Sequence, residues 1–551
     1  MFSEKAQKHF SNILLTSFII IFCFFIAIAN TGYSNTLDNA LLISDKIKIP
    51  DNNSPQLIWM KDSISLISFV QSLFLRLDVS ILRISQATLI LSTIFFFTGI
   101  YLIVINLLKS IFNKKLKIVS FLFTSLTIIF DSHLPHTDYP NAYFAGFTSG
   151  IFSIALSTLI FGLIADGKNK KVIFFTIMLI FVHPVQGMWI SGILTLTYII
   201  NIFLSKKKIT YKEIKKLIFI FITLTTVTLY YLFFYLGFNN IVNNDIDLLD
   251  AWLSNWEPHR NNTTFSLNYL KITSLLFLIC MLFIIFFRKK IKENLFIFFL
   301  SLGLTVTISS VVYILYKIFY TSLPLFVIIP MPTRLINTHS MIAYPVILIS
   351  GFIVTKFISD YLKINKNLFL IVALTIFSLI IVFDHQYKNL NDRFNFIFKN
   401  RFETTYYNFI GNLTNKDIDR YSTKFWMDFR KVVNTEHYTL VTKVTEKKSY
   451  TYGLKPYIIK PTSFDYVLYS PSTVAQTSKI LEKIYEINFF NSNLKKFTEE
   501  HIRITFENKK DAEWKKIYKE FNVKYVFVPQ EWEIDLKMKL KNEKFSLYEI
   551  Q

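Results

Sequence analysis

Long apolar runs alternate with short polar connections over the first 383 positions of the chain, and shorter alternating pieces then continue to the C-terminus. About eleven runs fit membrane helices, near 11–29, 84–108, 118–131, 143–164, 172–183, 186–204, 217–237, 265–287, 295–318, 339–360 and 367–383. The standard applied is about 20 apolar residues for a hydrocarbon core about 30 Å thick. Every second connection is basic: Lys109 to Lys117, Lys168 to Lys171, Lys206 to Lys216, Arg288 to Lys292, and Lys363 with Lys366. Basic connections mark the cytoplasmic face of a membrane. The alternation therefore predicts a cytoplasmic N-terminus and an extracytoplasmic tail.

Two of the runs are short. Residues 118–130 and 172–182 give only about 20 Å and 17 Å of helix, and each ends in a polar cluster, SHLPHTDYP or HPVQG. Short helices that end in polar groups predict a water-filled cavity sunk below the outer surface. The first outer connection, 30–83, is long, and its stretch 65–77 is apolar on one side, as in a helix lying along the interface. After about residue 384 the chain alternates strand-like pieces (YTLVTKV, FDYVLYS, KYVFVP, FSLYEI) with helix-like ones (STVAQTSKILEKIYEIN, DAEWKKIYKEF). The fold class is thus mainly α: a polytopic helical bundle over 1–383 with a small α/β domain over 384–551.

Composition agrees with a membrane chain, 52% of the 551 residues being hydrophobic. The formal net charge of +22 suggests a nucleic-acid partner at first sight. Much of the excess sits in the basic connections, where it meets anionic headgroups and fixes topology, so membrane lipids are the partner and nucleic acid is not. Cys23 and Cys280 both lie in apolar runs and imply no disulfide. The run 11–29 follows Lys5 and Lys8 and ends in an A-x-A pattern, which reads as an uncleaved first span with a cleaved signal peptide as the alternative. The abundance of Lys, Ile, Asn and Phe suggests an AT-rich, bacterial genome, and hence the bacterial cytoplasmic membrane.

The chemically versatile residues of the apolar region gather on the outer side. Asp38 lies just beyond the first span, where a carboxylate can act as a general base toward a hydroxyl or hold a divalent metal, or simply cap the helix NALLIS. Asp131, His133, His136 and Asp138 fall within eight residues and suit a metal or a diphosphate, or form a polar turn. His183-Pro184 interrupts an apolar stretch, and a histidine at that depth requires a partner. Trp252 and Trp256 read as an interfacial belt whose faces could also stack on sugar rings, while His259 and Arg260, in the same connection as Glu257, could meet a phosphate or simply belong to a solvated loop. Arg334, after Pro330 and Pro332, suits bidentate binding of a lipid phosphate. The residues leave open whether a divalent metal such as magnesium or manganese takes part.

Taken together, these features resemble the GT-C superfamily of membrane glycosyltransferases. Asp38 in TLDNALLIS stands where that family carries a first-loop acid, His183-Pro184 is similar to the histidine-proline of several relatives, and DAEWKKIYKEFNVKYVFVP with FSLYEI resembles their helix–strand close. The resemblance implies a polyprenyl-phosphate sugar donor and a glycan or lipid acceptor. It also implies Asp38 as base with Asp138 next in line, and Arg334 with the imidazoles at the leaving phosphate. A polysaccharide polymerase or ligase is the neighbouring alternative. A lipid or glycan transporter without catalysis is the more distant one.

Overall fold

The computed structural model describes residues 4–29, 36–113, 115–129, 148–205, 254–256, 267–319, 335–362, 423–493 and 495–551, with a few isolated positions between them. Nine of the apolar runs become helices: α1 (Glu4–Ala29), α5 (Ile81–Phe112), α6 (Lys117–Ile129), α7 (Ser149–Ala165), α8 (Asn169–Val182), α9 (Pro184–Ser205), α10 (Leu267–Ile285), α11 (Glu293–Phe319) and α13 (Ala343–Leu362). The runs 217–237, for the most part, and 367–383 lie outside the described residues. Three helical stretches, Ile81–Phe112, Pro184–Leu204 and Glu293–Tyr316, are long and apolar enough to cross a membrane. The other apolar stretches, such as Lys117–Ile129 and Ser149–Ala165, are shorter.

Hydrogen bonds between connections order the ends of this bundle. Asp166 accepts from Asn106 (3.2 Å) and lies 3.9 Å from the Lys115 ammonium. Arg288 donates to the Leu204 carbonyl, Asn294 to that of Ala165, and Lys356 to that of Ile111. The described parts of the basic connections, with the helix ends beside them, therefore meet at one end. In the middle, α5 and α7 touch backbone to backbone. A Cβ built at Gly99 would lie 2.5 Å from the Thr158 carbonyl, and one at Gly162 would lie 2.5 Å from the Gly99 oxygen.

The first loop folds at the opposite end as α2 (Thr36–Ile43), α3 (Pro55–Asp62) and α4 (Leu66–Arg76). Ser54 caps α3 beside Pro55, and Ser65 with Ser68 forms a capping box for α4. The polar corner between α3 and α4 turns the chain by 93°. As the pattern of 65–77 predicts, α4 is two-sided: Phe69, Val70, Leu73 and Phe74 are exposed, while Ile67, Gln71 and Leu75 are buried.

The tail contributes α14 (Lys424–Val432), β1 (Tyr438–Val441), α15 (Glu446–Thr451), α16 (Tyr466–Tyr469), α17 (Val474–Tyr485), α18 (Glu499–Asn508), α19 (Asp511–Phe521), β2 (Val523–Pro529), β3 (Lys537–Lys541) and β4 (Phe545–Glu549). The sheet order is β1-β2-β4-β3, with β1 and β2 parallel and the other pairs antiparallel. FDYVLYS, expected as a strand, is instead a helical turn. Residues 456–458 take the position beside β1, through Thr439 N–H to the Pro456 carbonyl (2.9 Å) and Ile458 N–H to the Thr439 carbonyl (3.3 Å). The boundary expected near 384 falls outside the described residues.

One apolar cluster runs through the first loop and the tail together. It holds Leu37, Leu41, Leu57 and Met60 of the loop with Tyr438, Phe464, Ile480, Trp514 and Val526 of the tail. Trp256 belongs to the same cluster, which corrects its expected place in an interfacial belt. It is fully buried, stacks on Phe489, meets Phe464 and Phe497 edge-on, and donates from its indole to the Phe489 carbonyl at 3.1 Å. A buried indole is satisfied only with such an acceptor. Tyr316, near the far end of α11, joins the cluster too. Loop, tail and the ends of α7, α8 and α11 thus share the end of the bundle away from the basic connections.

Candidate functional site

A cavity of about 270 Å3 opens where these parts meet. It is lined by Thr36 and Asn39 of α2, Trp59 of α3, Ser63, Ser65 and Ser68 of the corner that follows, Thr148 and Ser149, and His183-Pro184 with Val182 and Val185 on either side. The tail supplies Asp465. The lining is therefore rich in hydroxyls, with one amide, one indole, one imidazole and one carboxylate.

Each of these groups is held by local structure. Asn39 ties α2 to the end of α3 by donating to the carbonyls of Met60 (2.8 Å) and Ser63 (2.9 Å). Thr148 caps α7. His183 ends α8 in an extended conformation, and Pro184 begins α9 at once. The helices then fold back on each other so closely that a Cβ at Gly187 would lie 2.5 Å from the Ile180 Cα. The Gln186 amide N–H donates to His183 Nδ1 (3.3 Å), so a neutral His183 ring carries its proton on Nε2. The Gln186 side chain donates to Thr338 (2.6 Å), which joins the break to α12 (Asn337–Ser340), the short helix preceding α13.

Asp38 lies in the first turn of α2 on the face turned to the tail, and is not among the residues that line the cavity. Its carbonyl accepts from the Tyr450 hydroxyl (2.6 Å), and its carboxylate lies 3.8 Å from the Lys460 ammonium, with both side chains largely buried. Glu446 stands beside them and accepts from the Thr462 N–H (3.0 Å) and hydroxyl. Burial pushes the Glu446 carboxyl up to about 7, and nearby Asp38 adds to the rise, while Lys460 and the Thr462 hydrogen bonds oppose it. For Lys460, burial works to lower the ammonium. Asp38, Glu446 and Asp465 together outweigh it and hold the group above its ordinary value. Three carboxylates thus surround one buried lysine at the seam between loop and tail.

Gln56 fixes the chain that carries this lysine. Its side chain accepts from the Lys460 N–H (2.8 Å) and donates to the Ser463 carbonyl (3.3 Å), while Trp59 packs beside Tyr466. Asp465 follows directly and is thereby set at the cavity wall.

Of the residues singled out from sequence, His183 lines the cavity, and Asp38 lies on the helix that supplies Thr36 and Asn39. Asp131, His133, His136, Asp138, Trp252, Glu257, His259, Arg260 and Arg334 lie outside the described residues. Sequence reasoning passed over Lys460, Glu446 and Asp465, which sit in a charged, loop-rich part of the tail and carry no motif. Among the described residues no group of three or more His, Cys, Asp or Glu side chains could hold a metal ion. Asp38, the described acid a metal would use, already faces an ammonium. The described donors do not fit a divalent metal.

No protein-family model matches the chain, and no curated protein matches it.

Proposed function

We propose that this chain is an integral membrane glycosyltransferase of GT-C-like architecture, with about eleven spans. It transfers a sugar from a polyprenyl-phosphate donor to a glycan or lipid acceptor of the cell envelope. In this reading the cavity end faces outward from the bacterial cytoplasmic membrane, the N-terminus is cytoplasmic and the tail is extracytoplasmic. The observation that carries the reading is the cavity itself: a hydroxyl-lined pocket with an indole, an amide and a carboxylate, at the end of an apolar bundle remote from the basic connections. Hydroxyl and amide edges beside one aromatic face suit a sugar ring, and the adjoining apolar helices suit its lipid carrier. The described helices of the bundle pack around an apolar cluster that holds Phe97, Ile100, Leu156 and Phe299.

The roles within this reading follow from chemistry. Arg334 and His183 would stabilise the departing phosphate, since fixed donors aimed at developing charge act most strongly in a water-poor site. His133, His136, Asp131, Trp252, His259 and Arg260 would complete the substrate surface, with Asp138 a second acid. Asp38, facing Lys460, holds the loop against the tail.

The test uses full-length protein in sealed vesicles, with undecaprenyl-phosphate glucose, galactose or mannose as donor and methyl glycosides as acceptors. A cysteine in place of the exposed Ser472 reports orientation, since Cys23 and Cys280 are buried. At least one donor should release undecaprenyl phosphate, and only on the face where Ser472→Cys reacts with a membrane-impermeant maleimide. No release from any donor, or release on the opposite face, contradicts the proposal.

A further inference from the structure

We infer that Asp465, contributed by the tail, is the carboxylate that touches substrate and takes the proton from the acceptor hydroxyl. The inference deepens the transferase reading and rests on it.

Two acids of known position compete for that role. Asp38 has a 3.8 Å contact with buried Lys460 and lies off the cavity. Asp465 lines the cavity together with Asn39, Trp59 and His183. A general base must come within hydrogen-bond reach of the proton it removes, so position decides between them before acidity does. The structure also invests in the placement of Asp465. Gln56 clamps the preceding chain at both the Lys460 N–H and the Ser463 carbonyl, and Tyr466 is buried next to Trp59.

In the step proposed, the acceptor oxygen bonds to the anomeric carbon from the face opposite the phosphate. The bond from that carbon to the phosphate oxygen breaks, and its electron pair leaves with polyprenyl phosphate. The acceptor's proton passes to Asp465, and the anomeric centre is inverted. The division of labour explains why the tail and the first loop share one core: the loop supplies the sugar-binding surface and the tail supplies the base.

The test uses the same vesicles and whichever donor the wild-type protein turns over. Asp465→Asn should lower kcat by about 100-fold or more, the usual worth of a positioned base. Its donor affinity, read by quenching of tryptophan fluorescence, should stay near the wild-type value. Asp465→Ala should regain part of the lost turnover when sodium formate is added, which no structural defect would allow. Asp465→Glu keeps the charge and serves if the neutral variants fail to fold: it must bind donor normally with an altered kcat. A folded Asp465→Asn protein with normal turnover overturns the inference, as does an Asp465→Ala loss that formate leaves untouched, or an Asp465→Glu protein with wild-type kcat. Absence of turnover by the wild-type protein with every donor is a different result, and overturns the transferase reading itself.

Discussion

Replacement of Lys460 by methionine should destabilise the folded protein by about 3–5 kcal/mol near pH 8, the usual cost of breaking a buried ion pair from one side. Methionine fills similar volume, so the loss is electrostatic. The charge removed is a buried cation of the tail that interacts with Asp38, Glu446 and Asp465. The effect should depend on pH in a definite direction. The Glu446 carboxyl is raised to about 7 in the folded protein, against about 4.5 when exposed. A folded state that binds the extra proton is favoured below the unfolded value, and that stability disappears as pH rises through the folded value. For a shift of this size the contribution is about 3 kcal/mol, lost between about pH 4.5 and 7.5. Lys460 is the largest of the influences that hold Glu446 down, so its removal should extend the window upward and make the variant relatively worse at pH 8 than at pH 5. Adding Glu446→Gln should recover part of the loss at pH 8. Lys479→Met, at a half-exposed pair with Glu520, should cost no more than about 1 kcal/mol at either pH. Thermal unfolding of the full-length protein in detergent at both pH values measures all of this. Equal losses for Lys460→Met at pH 5 and pH 8 would count against the network.

Gly99→Val should separate α5 from α7 and lower the melting temperature by more than any substitution on the exposed faces of those helices. The obstacle is backbone rather than a movable side chain: a Cβ at Gly99 meets the Thr158 carbonyl carbon and oxygen at 2.5 Å and the Leu159 nitrogen at 2.7 Å. Overpacking of a dense core costs about 1–3 kcal/mol, and more where relief requires whole helices to move. The neighbours Phe96, Ile100, Ala155 and Leu159 are buried and cannot turn aside. Gly99→Ala should already be destabilising, and Leu91→Ala, at an exposed position on α5, should be nearly neutral. Melting followed by size-exclusion chromatography ranks the three. A Gly99→Val protein as stable as Leu91→Ala would show that the helices are not in contact there.

The sequence made some of this legible for specific reasons. The helix Asp511–Phe521 was readable because Trp514, Ile517 and Phe521 repeat on one face, and the two-sided character of 65–77 was readable in the same way. The strand Lys537–Lys541 was not, because an edge strand with exposed lysines lacks the apolar alternation of a half-buried one. Phe464, Tyr466 and Val467 are all buried, and the 464/466 spacing fits a strand while the 464/467 spacing fits a helical turn. Trp256 in a short polar connection looked like an interfacial residue, and only the docked tail shows what covers it. The cavity was legible in part. His183-Pro184 stood out because histidine and proline disrupt an apolar run, and Asp38 because an acid follows a span. Their surroundings come from Lys460, Glu446 and Asp465 at the far end of the chain, and no spacing rule connects residues so distant in sequence.

In the proposed function a lipid-linked sugar binds in the cavity between the first loop, the His183-Pro184 break and the tail. A diazirine-bearing undecaprenyl-phosphate glucose, irradiated with the full-length protein in vesicles and mapped by peptide mass spectrometry, tests it most directly. The account predicts adducts within residues 36–39, 59–68, 183–185 or 465 that disappear when excess unlabelled donor is present. Adducts confined to the Lys/Arg-rich connections, or adducts at the cavity that excess donor does not suppress, would contradict it.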